Sequence, residues 1–381
     1  MTLTRRNVVM PFVADPADSS PHPPCSVAMM IDPEAFERFG RTLRHLAIGL
    51  VDQAVPLRLV SSDPRVESLL LGPVQALIHE RLVFPSARRR LERLIDSLSA
   101  QPPSLVHAMS SASYRAALTA ADELDADVVL QVTSLADCEE AAALDRRRVR
   151  AILAFTEPLR QAAVAALGTN DPPVEWIRAG VPTAQHATCF AEAGRVATLL
   201  CTAALQHGYG VAELIQGLHG LQKRGAAPLT FLVGQGPLEG ELRKMVRRLA
   251  LSGVVTFAQP LGDSTAALRA ADFFIQPAAE SEFTADSLHA LGAGMLVIAA
   301  PGGVDDHLHP GQTALRSHSA TPESLAAAIE EALLDPARSR GIAISGMEYA
   351  RRFHSMSAMA DATAAVYRRI ALSSATFPLD K

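Results

Sequence analysis

Cysteine is scarce: four occur in 381 residues, Cys25, Cys138, Cys189 and Cys201. They form no CxxC pair and have no metal-ligand spacing with histidine, which argues against a zinc site or a disulfide framework. A reducing, cytoplasmic setting fits that usage. Positive charge is not in excess either. The net charge is −5, the pI is near 6.2 and Lys and Arg are scattered, so nucleic acid is not expected as a partner. Long apolar runs are also missing. The longest, Val196 to Leu205 and Leu291 to Ala300, fall well short of the ~20 residues of a membrane span. Met1 to Pro24 has an Arg pair but only a short apolar run, broken by Pro11 and followed by Asp15 and Asp18, which does not read as a signal peptide.

What is present is ample core material, with 49% hydrophobic and 20% charged residues. A prior of about 100–200 residues per domain gives two domains. Pro16, Pro21, Pro23 and Pro24, among Ser and Asp, read as a loose leader over residues 1–25. The basic runs Arg88-Arg89-Arg90 with Arg93, and Arg146-Arg147-Arg148, read as solvated helix faces.

From residue 26, short apolar runs alternate with helical periodicity. Strands are expected at Ser26–Ile31, Leu57–Ser61, Ser104–Ala108 and Asp127–Val132, with a helix over Glu34–Gln53 whose Phe36, Phe39, Leu43, Leu46 and Leu50 share a face. The second half repeats the rhythm. Strands Val196–Ala203, Leu229–Val233, Val254–Ala258, Phe273–Gln276 and Leu296–Ala299 are separated by helices, one ending near Ala271 and another running from Thr321 to Leu334. Strand and helix in alternation predict parallel sheets. In such sheets the ligand crevice lies beyond the carboxyl ends of the strands, where the loops Gly234–Pro237, Pro277–Thr284 and Ala300–Asp306 fall. Gly234, Gly236, Gly302 and Gly303 suit either close approach to a ligand or plain turn geometry.

The pieces Phe231-Leu-Val-Gly-Gln-Gly-Pro237, Val254-Val-Thr-Phe257, Ala270-Ala-Asp-Phe-Phe-Ile-Gln-Pro277, His289-Ala-Leu-Gly-Ala-Gly294 and Pro301-Gly-Gly-Val-Asp-Asp306 follow one another in order. This series resembles the C-terminal domain of family 4 glycosyltransferases, over Phe231 to Tyr367. Fainter likeness at Leu105–Ala108, Ala151–Glu157 and Trp176–Val181 extends it over most of the chain. The resemblance implies an α/β GT-B fold of two Rossmann-like domains facing across a cleft, with boundaries near 26–185 and 186–355, and a final segment, 356–381, crossing back to the first domain. It also implies an acceptor on the first domain, a nucleotide-sugar donor on the second, no metal or other cofactor, and retention of anomeric configuration. Protein cations, backbone amides and a helix N-terminus would stabilise the departing phosphate.

Carried over residue by residue, the family pattern is interrupted at its charged positions. The glycine-rich loop before the first helix is replaced by Glu37-Arg-Phe-Gly40, and the histidine after the fifth strand by Thr133. The paired Arg and Lys fall at Ala204 and Tyr209, and the paired glutamates at Ser281 and His289. Two lost charge-assisted contacts of about 1.5–3 kcal/mol each would cost roughly 3–6 kcal/mol, or about 10²–10⁴ in donor affinity. The weak catalytic candidates are therefore Glu280 and Glu282. Donor-binding candidates are Gly234, Gly236, Ser281, Phe283, His289, Gly302 and Gly303; Arg178, His207 and Asp306 read as surface or non-phosphate groups. Three roles remain open: a sugar transferase, a non-catalytic relative that binds or scaffolds another protein, and a nucleotide-sugar epimerase.

Overall fold

Asp32 starts the first helix by accepting the N–H groups of Glu34 and Ala35 at 3.0 Å, with a proline at the first helical position. In the computed structural model, which describes residues 25–70, 72–83, 85–169, 171–192, 194–259 and 271–376, this helix α1 spans Pro33–Asp52. It buries Phe39, Leu43, Leu46 and Leu50, as its periodicity predicts. It is kinked at Phe39 (φ −145°, ψ 25°).

The first sheet is seven-stranded and parallel: β1 Val27–Met30, β2 Leu57–Ser61, β3 Gln75–Ile78, β4 Leu105–Ala108, β5 Asp127–Val132, β6 Val149–Ala154 and β7 Val174–Trp176, in the order β3-β2-β1-β4-β5-β6-β7. Between its strands run α2 Ala87–Ser99, α3 Ser111–Leu124, α4 Leu135–Ala143 and α5 Glu157–Leu167. β1, β4 and β5 are buried throughout, so they read as apolar runs without alternation.

The second sheet, six-stranded and parallel, holds β8 Thr198–Thr202, β9 Leu229–Val233, β10 Val255–Ala258, β11 Phe273–Gln276, β12 Leu296–Ala299 and β13 Ala314–Arg316, in the order β10-β9-β8-β11-β12-β13. Helices α6 Val211–Lys223, α7 Glu239–Arg248, α8 Asp286–Ala293, α9 Pro322–Leu334, α10 Pro336–Phe353 and α11 Met356–Thr376 are the α-helices described in this half of the chain. The strand order reverses between β8 and β11, the place where open sheets bind ligands.

α11 leaves the second lobe and packs on the first. A Cβ added at Gly49 of α1 would lie 2.4 Å from Ala360 Cβ, and the Tyr367 hydroxyl meets His107 Nδ1 of β4 at 2.6 Å. One buried apolar cluster joins Val27, Leu59 and Val129 of the first sheet to Phe283, Leu288, Leu291 and Met359, so the lobes share a core.

Some expectations need correction. Arg88 to Arg93 lie on α2 and pair with Glu92 and Glu80, but Arg146 to Arg148 are not helical. α4 ends at Ala143, because Leu144 turns to extended backbone and Asp145 accepts the Arg147 N–H instead. β3, β6, β7, β13 and α10 were not distinguished from sequence. The expected leader up to Pro24, and the body of the helix expected to end near Ala271, lie outside the described residues.

Candidate functional site

The crevice beyond β8 and β11 is where the loops of the second sheet meet the carboxyl ends of the first. Its central segment is Pro277 to Ala285, between β11 and α8. Ser281 accepts the Leu135 N–H at 3.0 Å, and the Phe283 N–H donates to Thr133 O at 2.6 Å, closing an antiparallel bridge between Ser134 and Glu282. The Ala285 N–H donates to Arg38 O at 3.3 Å, beside the kink in α1. Phe283, 1% exposed, stacks on Phe155 at 5.2 Å, and Phe155 on Phe39 at 5.8 Å. Its candidate role as a donor contact therefore coincides with a place in the interlobe core.

Glu282 is the centre of the site. Its Oε2 pairs with Arg38 Nη1 at 2.9 Å, and its Oε1 accepts the Tyr209 hydroxyl at 2.9 Å. Arg38 comes from the segment that replaces the glycine-rich loop, and Tyr209 stands where the resemblance places a lysine. Both carboxylate oxygens are thus engaged by the chain itself. Tyr209 is held above its ordinary value, by burial first and then by its bond to Glu282.

Glu280 accepts from Thr284 Oγ1 at 3.0 Å, and burial, with Asp305 adding repulsion, pushes its carboxyl up to about 8. It therefore carries a proton at neutral pH. Asp305 accepts from Gln276 Nε2 at 3.0 Å and burial raises it to about 6. Asp286, in the first turn of α8, accepts from Thr202 Oγ1 at 2.6 Å and is raised by burial. Asp306 reaches across the lobes to accept the Glu157 N–H at 2.8 Å, at the start of α5. Burial raises Asp306 too. Four arginines approach these acids: Arg38 bonds Glu282, while Arg41, Arg316 and Arg178 each draw down the carboxyl of Asp286, Asp305 and Asp306 respectively. Arg178 also lies 3.8 Å over the Trp176 ring.

The glycines face protein. A Cβ at Gly234 would lie 2.0 Å from Ala203 O, and one at Gly236 would lie 2.4 Å from Leu205 O, so the close approach is to the backbone after β8. Gly302 and Gly303 both have φ +92°, and a Cβ at Gly303 would sit 3.2 Å from Glu280 O. Backbone packing accounts for the absence of a side chain at Gly234 and Gly236, and the positive φ for it at Gly302 and Gly303. His289 is 5% exposed on α8, with Nε2 unpartnered, and burial, then Arg41 and His45 on α1, lower it to about 3. His207 is exposed in the loop before Gly210. Thr133, at the expected histidine position, is fully buried and bonds Asp137 Oδ2 at 2.8 Å.

Among the described residues, no group of three or more His, Cys, Asp or Glu could hold a metal ion, and no helix is long and apolar enough to cross a membrane. Arg38, Arg41 and Asp305 were not singled out from sequence. The signal for Arg38 was its charge within a segment otherwise noted only for its missing glycines.

The family model described as glycosyl transferases group 1 matches residues 196–335. No sequence match to a curated protein was found. Among solved structures, the chain is similar to sucrose-phosphate synthase from Thermosynechococcus elongatus, at 16% identity and TM-score 0.75, over 91% of this chain and 99% of that one. It is also similar to Anabaena HepE in complex with UDP-glucose, at 15% identity and TM-score 0.74, over 92% and 100%. A glycosyltransferase from Rickettsia africae ESF-5 aligns at 12% identity and TM-score 0.73, over 91% and 98%. With two parallel-sheet lobes and the shared architecture, the chain has the GT-B fold, and its residues 196–335 match the model described as glycosyl transferases group 1.

Proposed function

We propose that this protein is a non-catalytic member of its family, a closed two-lobed chain that works by binding another protein instead of transferring a sugar. The observation that carries this reading is the engagement of Glu282 by Arg38 and Tyr209 at 2.9 Å each. A nucleotide-sugar pyrophosphate requires positive charge beside the glycine loops. Here Arg38, the arginine ion-paired at the crevice, is matched with Glu282 of the same chain, Arg178 lies over the Trp176 ring, and Ala204 supplies no charge. Bringing a further anion beside Glu282, Asp305 and Asp306 would add repulsion in a region poorly screened by solvent. Exposed Val196, Leu229 and Phe231, at 60%, 39% and 39%, offer apolar surface on the second lobe for a partner.

The test is a thermal-shift panel of UDP, ADP, GDP and CMP with their sugars. A site filled at 100 times its dissociation constant adds about 2.7 kcal/mol. No shift with any of them is expected; a clear shift with one would overturn the reading.

Sugar transfer from a nucleotide donor is the second reading. Glu280 supports it, as a carboxyl that keeps its proton at neutral pH in the loop where a donor sugar would lie. The UDP-glucose complex of HepE supports it by analogy of fold. Hydrolysis or transfer of a nucleotide sugar, abolished in Glu280→Gln, would establish it.

A further inference from the structure

Pro277 to Ala285 has two unlike sides. Ala279 and Ser281 are exposed, whereas the other side is bonded to both lobes. Toward the first lobe run the Leu135–Ser281, Phe283–Thr133 and Ala285–Arg38 backbone bonds, the Arg38–Glu282 pair and the Phe283 ring. Toward the second lobe, the Val304 N–H donates to Glu280 O at 3.2 Å, and Tyr209 donates to Glu282. A Cβ at Gly210 would lie 2.7 Å from Pro277 O, so the turn that opens α6 is also covered by this segment. The cover is thin. Its pairing with the first sheet is a single isolated bridge, with no ladder on either side.

We propose that Pro277 to Ala285 is a releasable strap that gates the cleft, with Glu282 as its fastening. Fastened, it covers the loops at Gly210 and Gly303 and holds the lobes together. Released, it frees the carboxyl ends of β8 and β11 without disturbing either sheet. A few polar bonds and one buried aromatic ring hold this segment, whereas β5 and β12, which carry Val129 and Ile298, are paired on both sides and buried throughout. Segments with the first kind of attachment open locally, well below the free energy of global unfolding. The strap depends on closure of the lobes and not on whether a nucleotide binds, so its failure and that of the functional reading are separable.

Hydrogen exchange of the full chain tests it. The amides of Leu135 and Phe283, which donate across the lobes, should exchange at least roughly 100-fold faster than those of Val129 and Ile298 inside the sheets. Arg38→Met, which destabilises the native state relative to every opened one, should speed the first pair by a further tenfold or so and the second pair by no more than that, so that the first pair stays at least roughly 100-fold ahead. As a second variant, Ser134→Cys with Glu282→Cys places cysteines at bridge partners, whose spacing of roughly 4.5–5.5 Å suits a disulfide. The four natural cysteines are buried and do not compete. Oxidation of that pair should slow Leu135 and Phe283 to the sheet rate, and reduction should restore their fast exchange. Exchange of Leu135 and Phe283 at the sheet rate in the unmodified protein would mean a permanent clamp and overturn the proposal. So would rates indifferent to both variants.

Discussion

Arg38 and Glu282 form an ion pair at 2.9 Å between α1 of the first lobe and the β11–α8 loop of the second, with side chains 12% and 22% exposed. Arg38 lies in the segment where the resemblance places a glycine-rich loop, and Glu282 is next to Ser281, where it places a glutamate. Removing either partner leaves a mostly buried charge without its counterion.

Arg38→Met and Glu282→Gln should therefore each destabilise the protein by roughly 1.5–3 kcal/mol. Their double mutant should cost less than the sum, with a coupling of about 0.5–3 kcal/mol. Urea unfolding of the four proteins measures both quantities, and strictly additive losses would show that the pair contributes nothing as a pair.

Phe283→Ala removes the ring that joins the Phe39 and Phe155 stack. A loss of about 3–5 kcal/mol is expected, in the range for a fully buried aromatic. A loss under about 1 kcal/mol, by the same urea measurement, would show that the lobes do not share this core.

The pH dependence of stability follows from buried groups of both signs. His107, His289, His307 and His354 are held at about 3 by burial, so the folded chain stays unprotonated there while the unfolded chain takes up protons below about 6.5. Stability is lost as pH falls through that window. Glu280 and Asp305 are raised to about 8 and 6, so the folded chain keeps protons that the unfolded chain releases, and stability is lost as pH rises toward those values. Each proton contributes about 1.4 kcal/mol per pH unit. The melting temperature should peak near about pH 7, falling steeply toward pH 5 and gently toward pH 9. In Glu280→Gln the alkaline decline should disappear.

Restoring the missing cations offers a gain-of-function check. Ala204→Arg with Tyr209→Lys replaces two contacts of about 1.5–3 kcal/mol each and should raise affinity for a nucleoside diphosphate by about 10²–10⁴. Calorimetric titration of the variant beside the parent measures the change. An unchanged parent-like result would place the obstacle in the strap and not in those two positions.

The fold was legible because its strands are buried parallel runs. Leu57–Ser61, Asp127–Val132, Phe273–Gln276 and Leu296–Ala299 lie where apolar runs between helical periods place them. β3 was missed because its residues are exposed or half-buried at a sheet edge, and β13 because three residues carry no period. At the site, the family resemblance puts Ala204 and Tyr209 where it expects cations. What replaced the cations could not be read from sequence, because Arg38 and Glu282 are 244 residues apart and meet only when the lobes close. For two of the glycines the sequence shows that the backbone can approach something closely, but not that Gly234 approaches Ala203 O and Gly236 approaches Leu205 O of the same chain.

The central claim is that the cleft, with Glu282 held by Arg38 and Tyr209, does not take a nucleoside diphosphate. Equilibrium titration of the unmodified protein with UDP and ADP, alone and as their glucose esters, tests it most directly. The account predicts no saturable binding tighter than about 1 mM, equivalent to about −4 kcal/mol. A dissociation constant in the micromolar range for any of these ligands, lost in a variant of the β8 or β11 loops, would contradict it.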